Sequence, residues 1–484
     1  MTASPSRELT RRASQSLTEQ LAQRFAERIA QRALAAGARL PSVRECAQQF
    51  GLSPSTVVAA YDLLQAQGLV QARPQRGFFV RAAATPSAAR DEAGAPARRA
   101  ATLPAPVDAT ALIRSMFQAQ GGLPAPGMGT LPEAWLDATL LQRALRRVVS
   151  GGDGAGNAAQ AWLRYGDPAG DPGLRAALSR RLADLGIAAA PAQIVTSVGA
   201  THGLDIVSRA LLRAGDAVLV DEPGWAVEFA RLTRMGMRLL PVPRGLDGPD
   251  LAVMRALLEA HRPRLYVTVS VLLNPTGCSL APAAAHQVLR LAEEFDLTIV
   301  EDDTYAWLAP AHATRLAQLD ALRRTVLVSG FSKILAPQWR VGFIAASPAM
   351  SERFIDTKLL STLTTAAPLE QALAWCLEQG ALRRHAERVV QQLDAARSRA
   401  VRLAQDAGCS FVTPPQGLFG WVDVGADTER LSQALLDAGW LIAPGALFHA
   451  SARATRLMRI NFATSQDARF WRLLKRLVAS SVSS

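Results

Sequence analysis

The stretch Val328-Ser-Gly-Phe-Ser-Lys-Ile-Leu-Ala-Pro-Gln-Trp-Arg-Val-Gly342 is where the reading of this chain turns. It begins inside a β-branched apolar run, Thr325–Ser329, which predicts a strand, and then turns through Gly330 into Phe331, Ser332 and Lys333. A lysine at a strand end in apolar surroundings is costly as a cation, so its pKa is depressed. Its neutral amine is then available for a Schiff base. The chain uses arginine nearly everywhere: of 53 Lys and Arg, only Lys333, Lys358 and Lys475 are lysines. A lysine kept at 333 points to chemistry that a guanidinium cannot perform. Taken alone, it is equally well read as one ordinary lysine of three.

Outward from it, two more polar clusters follow apolar runs. Asn274-Pro275-Thr276-Gly277 comes after Leu265–Ser270, and Glu301-Asp302-Asp303-Thr304-Tyr305 closes Leu297–Asp302. Gln193–Ser197 and Ala217–Asp221 are further strand-like runs, and helical stretches alternate with all of them. That order predicts an α/β domain with a largely parallel sheet. In such sheets ligands collect at the carboxyl ends of strands, so three polar clusters at three ends imply one crevice. Singly, the first is a turn and the second a helix cap.

The beginning of the chain has a different character. Leu17, Leu21, Phe25, Ile29 and Leu34 recur at near-helical spacing. Leu40-Pro41 interrupts, and Ser42-Val-Arg-Glu45 is a capping box that opens a second helix. Gly51 ends that helix, and Ser53-Pro54 starts a third, with Ser55 and Thr56 near its start and Val57, Tyr61 and Leu64 inward. Gly68-Leu-Val70 and Gly77-Phe-Phe-Val80 then frame a short hairpin with Pro74-Gln75-Arg76 at its turn. Helix, helix-turn-helix and wing is the order of a DNA-binding module. A helix start in the major groove offers amides and short hydroxyls to phosphates and base edges. The DNA-facing set is Arg39, Ser42, Arg44, Ser53, Ser55, Thr56, Arg76 and Gly77. Residues 1–106 hold 14 Arg and no Lys against 7 Asp and Glu, a net of +7 within a chain of +12. That balance suits a polyanion partner, here double-stranded DNA. The same spacing also describes a small helical interaction domain with a solvated arginine face.

With 484 residues, more than one domain is expected. The boundaries predicted are a winged domain over 1–81, an Ala/Pro-rich linker over 82–106 and a large domain over 107–484. Hydrophobic residues at 49% and charged ones at 19% describe a globular protein. No apolar run of spanning length and no apolar leader is present, so no membrane partner is expected and the cytoplasm is the expected compartment. Cys46, Cys278, Cys376 and Cys409 are widely spaced and form no CxxC pair, and the 6 histidines make no ligand motif, so no metal is expected.

Two resemblances follow from these motifs. The run ARLPSVRECAQQFGLSPSTVVAAYDLLQAQGLV…RGFFV resembles the GntR-type winged helix from Gln15 to Val80, although Pro54 stands where many relatives carry Arg. From about Gly127 onward the chain resembles the fold-type I PLP-dependent enzymes, specifically the aminotransferase-like effector domain of the MocR subfamily of GntR regulators. The fold class implied is therefore multidomain: an α+β winged helix-turn-helix plus an α/β aminotransferase-like domain.

The resemblance implies pyridoxal 5'-phosphate as cofactor, held as a Schiff base by Lys333. It puts Asp302 on the pyridine nitrogen, Tyr305 and Asn274 on the phenolic oxygen, and Trp225 on the ring face. Gly199, Ala200, Thr201, Ser332 and Arg340 become the phosphate cup, and Tyr165 reaches the neighbouring subunit's phosphate in a homodimer. Arg459, in Leu-Met-Arg-Ile-Asn-Phe, becomes a clamp for a carboxylate; read without the family, it is a buried structural ion pair. Gly330 replaces a hydroxyl residue, and Ala200-Thr201-His202 replaces Ser-Gln-Gln. The function implied is a regulator sensing PLP, or an amine or amino acid reacting with bound PLP, with heads placed over the neighbouring subunit. The alternative is a working aminotransferase that carries a DNA-binding domain, so turnover is left open.

Overall fold

A computed structural model describes residues 16–30, 34, 37–73, 77–81, 124–151, 162–451 and 453–482. The chain divides into two compact units, Met1–Leu123 and Pro124–Ser484. The expected linker, the start of the large domain at 107, and Arg76 with its turn lie outside the described residues.

In the first unit, α1 (Leu17–Ala30), α2 (Val43–Phe50) and α3 (Pro54–Ala66) precede the hairpin β1 (Val70–Arg73) and β2 (Gly77–Val80). Local signals set these limits. Both halves of the Ser42–Glu45 capping box are made, and Gly51 closes α2 in the left-handed region at φ 63°. Ser53 caps α3 ahead of Pro54. Leu34, four residues past Ala30, is also buried. Tyr61 ties the unit together. Its hydroxyl donates to the Pro41 carbonyl at 2.9 Å, and its ring meets Phe25 of α1 and Phe78 of β2 edge-on. The hairpin pairs Val70 with Val80 and Arg73 with Gly77.

The second unit is built on a seven-stranded sheet. Its strands are β3 (Ile194–Ser197), β4 (Ala217–Glu222), β5 (Arg238–Pro243), β6 (Leu265–Thr268), β7 (Thr298–Asp302), β8 (Thr325–Gly330) and β9 (Gly342–Ala345). Every strand run read from the sequence is realised within a residue or two. The order is β3-β9-β8-β7-β6-β4-β5. β5, β4, β6, β7 and β8 run parallel, whereas β9 is antiparallel to both β8 and β3. The largely parallel expectation therefore holds with one reversal, and the reversal matters. Because β9 enters from the carboxyl edge, its first residue Gly342 sits opposite Ser197 and Gly330 together. β3, β6, β8 and β9 are buried throughout, as a sheet covered on both faces requires. A second, antiparallel sheet, ordered β10-β11-β13-β12, is made by β10 (Ser410–Phe411), β11 (Phe419–Asp423), β12 (Ala443–Pro444) and β13 (Leu457–Asn461).

Candidate functional site

The carboxyl edge of the large sheet carries Gly199, Trp225, Asn274, Asp302, Lys333 and Arg340 of the expected residues. After β3 the chain turns at Gly199, φ +76°, into the helix Gly199–Leu211, whose start has no side-chain cap. Its first-turn amides, from Gly199, Ala200 and Thr201, suit an anion. Arg340, two residues before β9, comes to the same place. Its Nη2 donates to the Val198 carbonyl at 3.0 Å and its Nη1 to Ser332 Oγ at 3.3 Å. A Cβ on Gly199 would stand 2.5 Å from Arg340 Nη2, and one on Gly342 would stand 2.5 Å from the Gly199 carbonyl carbon. Glycine is required for both approaches. Gly330 is also close: a Cβ there would lie 3.2 Å from the Ala200 amide. His202, a departure from the family pattern, braces the turn. Its Nδ1 accepts from the Val198 amide at 3.0 Å and its Nε2 pairs with Thr362 Oγ1 at 3.0 Å. Burial lowers its pKa, which suits the neutral ring this acceptor role needs.

Lys333 projects from the turn after β8, and its Nζ donates to the Gly129 carbonyl at 2.7 Å. Its pKa is pushed down to about 8, first by burial and then by Arg459, with Asp302 opposing. The depressed amine expected from the sequence is realised. Arg459, on β13, is buried between the rings of Phe419 and Phe448, with Cζ 4.5 and 5.0 Å from their centroids. Nη1 donates to Asn274 Oδ1 at 2.8 Å and Nη2 to the Gly127 carbonyl at 2.6 Å, while Nε is buried without a partner. No described carboxylate pairs with it, so the buried ion pair is not formed. Burial pushes its pKa down to about 10. Tyr305 packs edge-on to Phe419, and burial raises its phenol.

Asp302, at the end of β7, accepts from the Thr304 amide and hydroxyl through Oδ1. Its pKa is raised to about 6 by burial, with the Thr304 bonds opposing and Glu228 contributing. Asp302, Trp225, Glu228 and Thr268 line one pocket, with Trp225 half-buried at its wall. Tyr165 stands at the surface, 83% exposed. An anion cup, an amine with lowered pKa, a half-buried carboxylate and an aromatic wall are thus assembled from four separate segments.

On the winged unit, Ser42 Oγ is engaged by the Glu45 amide at 3.2 Å. Ser53 Oγ caps Thr56 and lies 2.8 and 2.7 Å from the hydroxyls of Ser55 and Thr56. Ser53 and Ser55 are exposed, as are Arg39 and Arg44. Arg39 lies over the wing: its Nε is 3.4 Å from where a Gly77 Cβ would stand.

Comparison with known proteins agrees on both units. Residues 129–477 match the family described as aminotransferase class I and II, and residues 17–80 match bacterial regulatory proteins, gntR family. The molecule is thus a DNA-binding regulator of the GntR class fused to an aminotransferase-type domain. It is 30% identical over 464 residues to the uncharacterized HTH-type transcriptional regulator YdcR of Escherichia coli, covering 91% of this chain and 94% of that one. It is 29% identical over 426 residues to the probable rhizopine catabolism regulatory protein MocR of Rhizobium meliloti, covering 85% and 81%. The crystal structure of LysN, alpha-aminoadipate aminotransferase, from Thermus thermophilus superposes with a TM-score of 0.69 at 23% identity, over 77% of this chain and 95% of that one. The chain belongs to the MocR subfamily of GntR-type transcription regulators. Pyridoxal 5'-phosphate is the cofactor of its class I and II aminotransferase domain, and the Gly199–Arg340 cup and the lysine fit it. Among the described residues, no helix is long and apolar enough to cross a membrane.

Sequence reading missed Gly129 and Asn461. Asn461 Nδ2 donates to the Met128 and Thr130 carbonyls at 2.9 and 2.7 Å. One signal was available: Arg459 and Asn461 are two apart on a strand and so share a face. The 331 residues separating Asn461 from Thr130 gave none.

Proposed function

We propose that this regulator senses an amine or amino acid through pyridoxal phosphate carried on Lys333, and transmits its occupancy to DNA bound by the winged unit. The observation carrying this reading is the pairing of an amine at about pKa 8 with a buried guanidinium that has no carboxylate partner among the described residues. When bound, the cofactor supplies an aldehyde carbon for amines and an electron sink through its ring. The chain's residues do the rest. Lys333 holds the cofactor's carbon, and Asp302 keeps the ring nitrogen protonated. Trp225 covers the ring, while Tyr305 and Asn274 orient its phenolic oxygen. Gly199, Ala200, Thr201, Ser332 and Arg340 hold the phosphate. Arg459 takes a carboxylate in its fixed fork of donors.

The protein acts as a homodimer in the cytoplasm, with Tyr165 completing the neighbouring subunit's phosphate cup. Leu163, Tyr165 and Leu360, each more than 80% exposed, are apolar or aromatic side chains whose burial a second copy would provide. The winged domain over 1–81 binds an operator through Arg39, Arg44, Arg76 and the start of α3, around Ser53, Ser55 and Thr56, with Ser42 and Gly77 shaping the approach. The linker over 82–106 lets each head lie over the neighbouring subunit.

The test is operator affinity and cofactor absorbance, with and without a panel of amines and amino acids. Wild type is expected to shift both reversibly without releasing a keto acid. Lys333→Ala should lose the borohydride-reducible cofactor adduct, and Arg459→Lys should lose the response to carboxylate-bearing amines. An adduct retained in Lys333→Ala removes the lysine assignment. Steady keto-acid release points instead to a working aminotransferase.

A further inference from the structure

The segment Pro124–Thr130 crosses the site as a strap. Every carbonyl along it accepts a hydrogen bond. Pro124 accepts from the Leu441 amide, Ala125 from Thr464 Oγ1, and Pro126 from the Asn461 amide and Ser465 Oγ. Gly127 accepts from Arg459, Met128 and Thr130 from Asn461 Nδ2, and Gly129 from Lys333 Nζ. Asn461 is fully buried and fully committed, because its Oδ1 also accepts from the Ala463 amide at 2.9 Å. By gripping the carbonyls on either side of Gly129, it fixes where the Gly129 carbonyl points. A Cβ at Gly127 would stand 2.2 Å from the Ala443 amide nitrogen, so the strap has no room to slide inward.

We propose that Asn461 is a positioning residue: it sets the Gly129 carbonyl as the acceptor for Lys333, so the strap is fastened at the lysine only while Nζ is an uncombined amine. This rests on the reading that Lys333 carries the cofactor. A free amine or ammonium offers two or three N–H groups and can aim one at Gly129. A nitrogen double-bonded to the cofactor's carbon keeps at most one proton, held in the plane of that bond. When an effector amine bonds that carbon, the bond to Nζ breaks, and the two protons shed by the amine end on Nζ. The lysine can then donate to Gly129 again. Loading the cofactor unfastens the strap and an effector amine refastens it. The strap begins immediately after residue 123, on the chain that leads back to the DNA-binding unit.

The experiment is hydrogen exchange across residues 124–130 in the full-length protein, in three states: cofactor removed, cofactor restored, and cofactor restored with aminooxyacetate as the probe amine. The amides of Gly127 and Met128, bonded to the Leu441 and Ala125 carbonyls, report on the strap. Wild type should exchange about tenfold faster with cofactor alone than in the other two states, as loss of a hydrogen bond to a charged group implies. Lys333→Met and Asn461→Asp should exchange fast in all three, with peptides from β7 and β8 unchanged. Equal rates in the three wild-type states, while borohydride still traps the cofactor on Lys333, overturn the strap and leave the lysine reading intact. Failure to trap the cofactor overturns that reading itself. An Asn461→Asp protein that keeps the three-state pattern overturns the assignment of Asn461.

Discussion

Arg459→Met should raise the pKa of Lys333, and the size of the rise can be worked from the geometry. Arg459 Nη2 and Lys333 Nζ lie 3.6 and 3.8 Å from the point where a Gly129 Cβ would stand, so they are no more than about 7.4 Å apart. At an effective dielectric of about 20, two like charges at that distance repel by about 2 kcal/mol, or about 1.5 pH units. The sign is fixed. Removing a nearby positive charge favours the ammonium, so a midpoint of about 8 moves up towards the ordinary lysine value. Asp302→Asn removes an opposing negative charge and should move it down. The chain makes the assay simple, because only Lys333, Lys358 and Lys475 would carry a 13C label introduced through lysine. Carbon chemical shifts followed from pH 6 to 11 in cofactor-free protein give three titrations, assigned by single lysine variants. At about 8, roughly one-tenth of Lys333 is neutral at pH 7, hundreds of times more than at 10.5. A Lys333 midpoint that stays put or falls in Arg459→Met would refute the electrostatic account of its reactivity.

Arg44→Ala should weaken operator binding and reduce the slope of log affinity against log salt by about 1, the value for one lost phosphate contact. Fluorescence anisotropy across a salt series measures it, and an unchanged slope removes Arg44 from the phosphate contacts. Gly199→Ala should weaken cofactor binding by about tenfold or more, since φ +76° is strained for alanine and its Cβ meets Arg340 Nη2 at 2.5 Å. Titration of cofactor-free protein with pyridoxal phosphate reads this directly, and an unchanged Kd would show that the cup lies elsewhere.

Much of the molecule was legible from the chain alone because the deciding forces were local. The Ser42–Glu45 box, Gly51 and Ser53-Pro54 act within one helical turn, and the structure makes each as read. The apolar runs before Ser197, Asp302 and Gly330 are strands because a sheet buried on both faces needs continuous hydrophobic residues. The lowered pKa of Lys333 was legible for the same reason: a lone lysine beside a buried strand is costly as a charge. What the chain did not reveal depends on contacts between distant segments. The reversal of β9 brings Arg340 against Gly199, and only its register against β3 and β8 decides that. Arg459 carried two readings, a carboxylate clamp, which the family pattern favoured, and a buried structural ion pair. Only packing settled that its guanidinium lies between Phe419 and Phe448 with carbonyl oxygens as its acceptors. The strap is the extreme case. Its carbonyls carry no side-chain signal, and their partners lie hundreds of residues away, so only the tertiary structure brings Gly129 to Lys333.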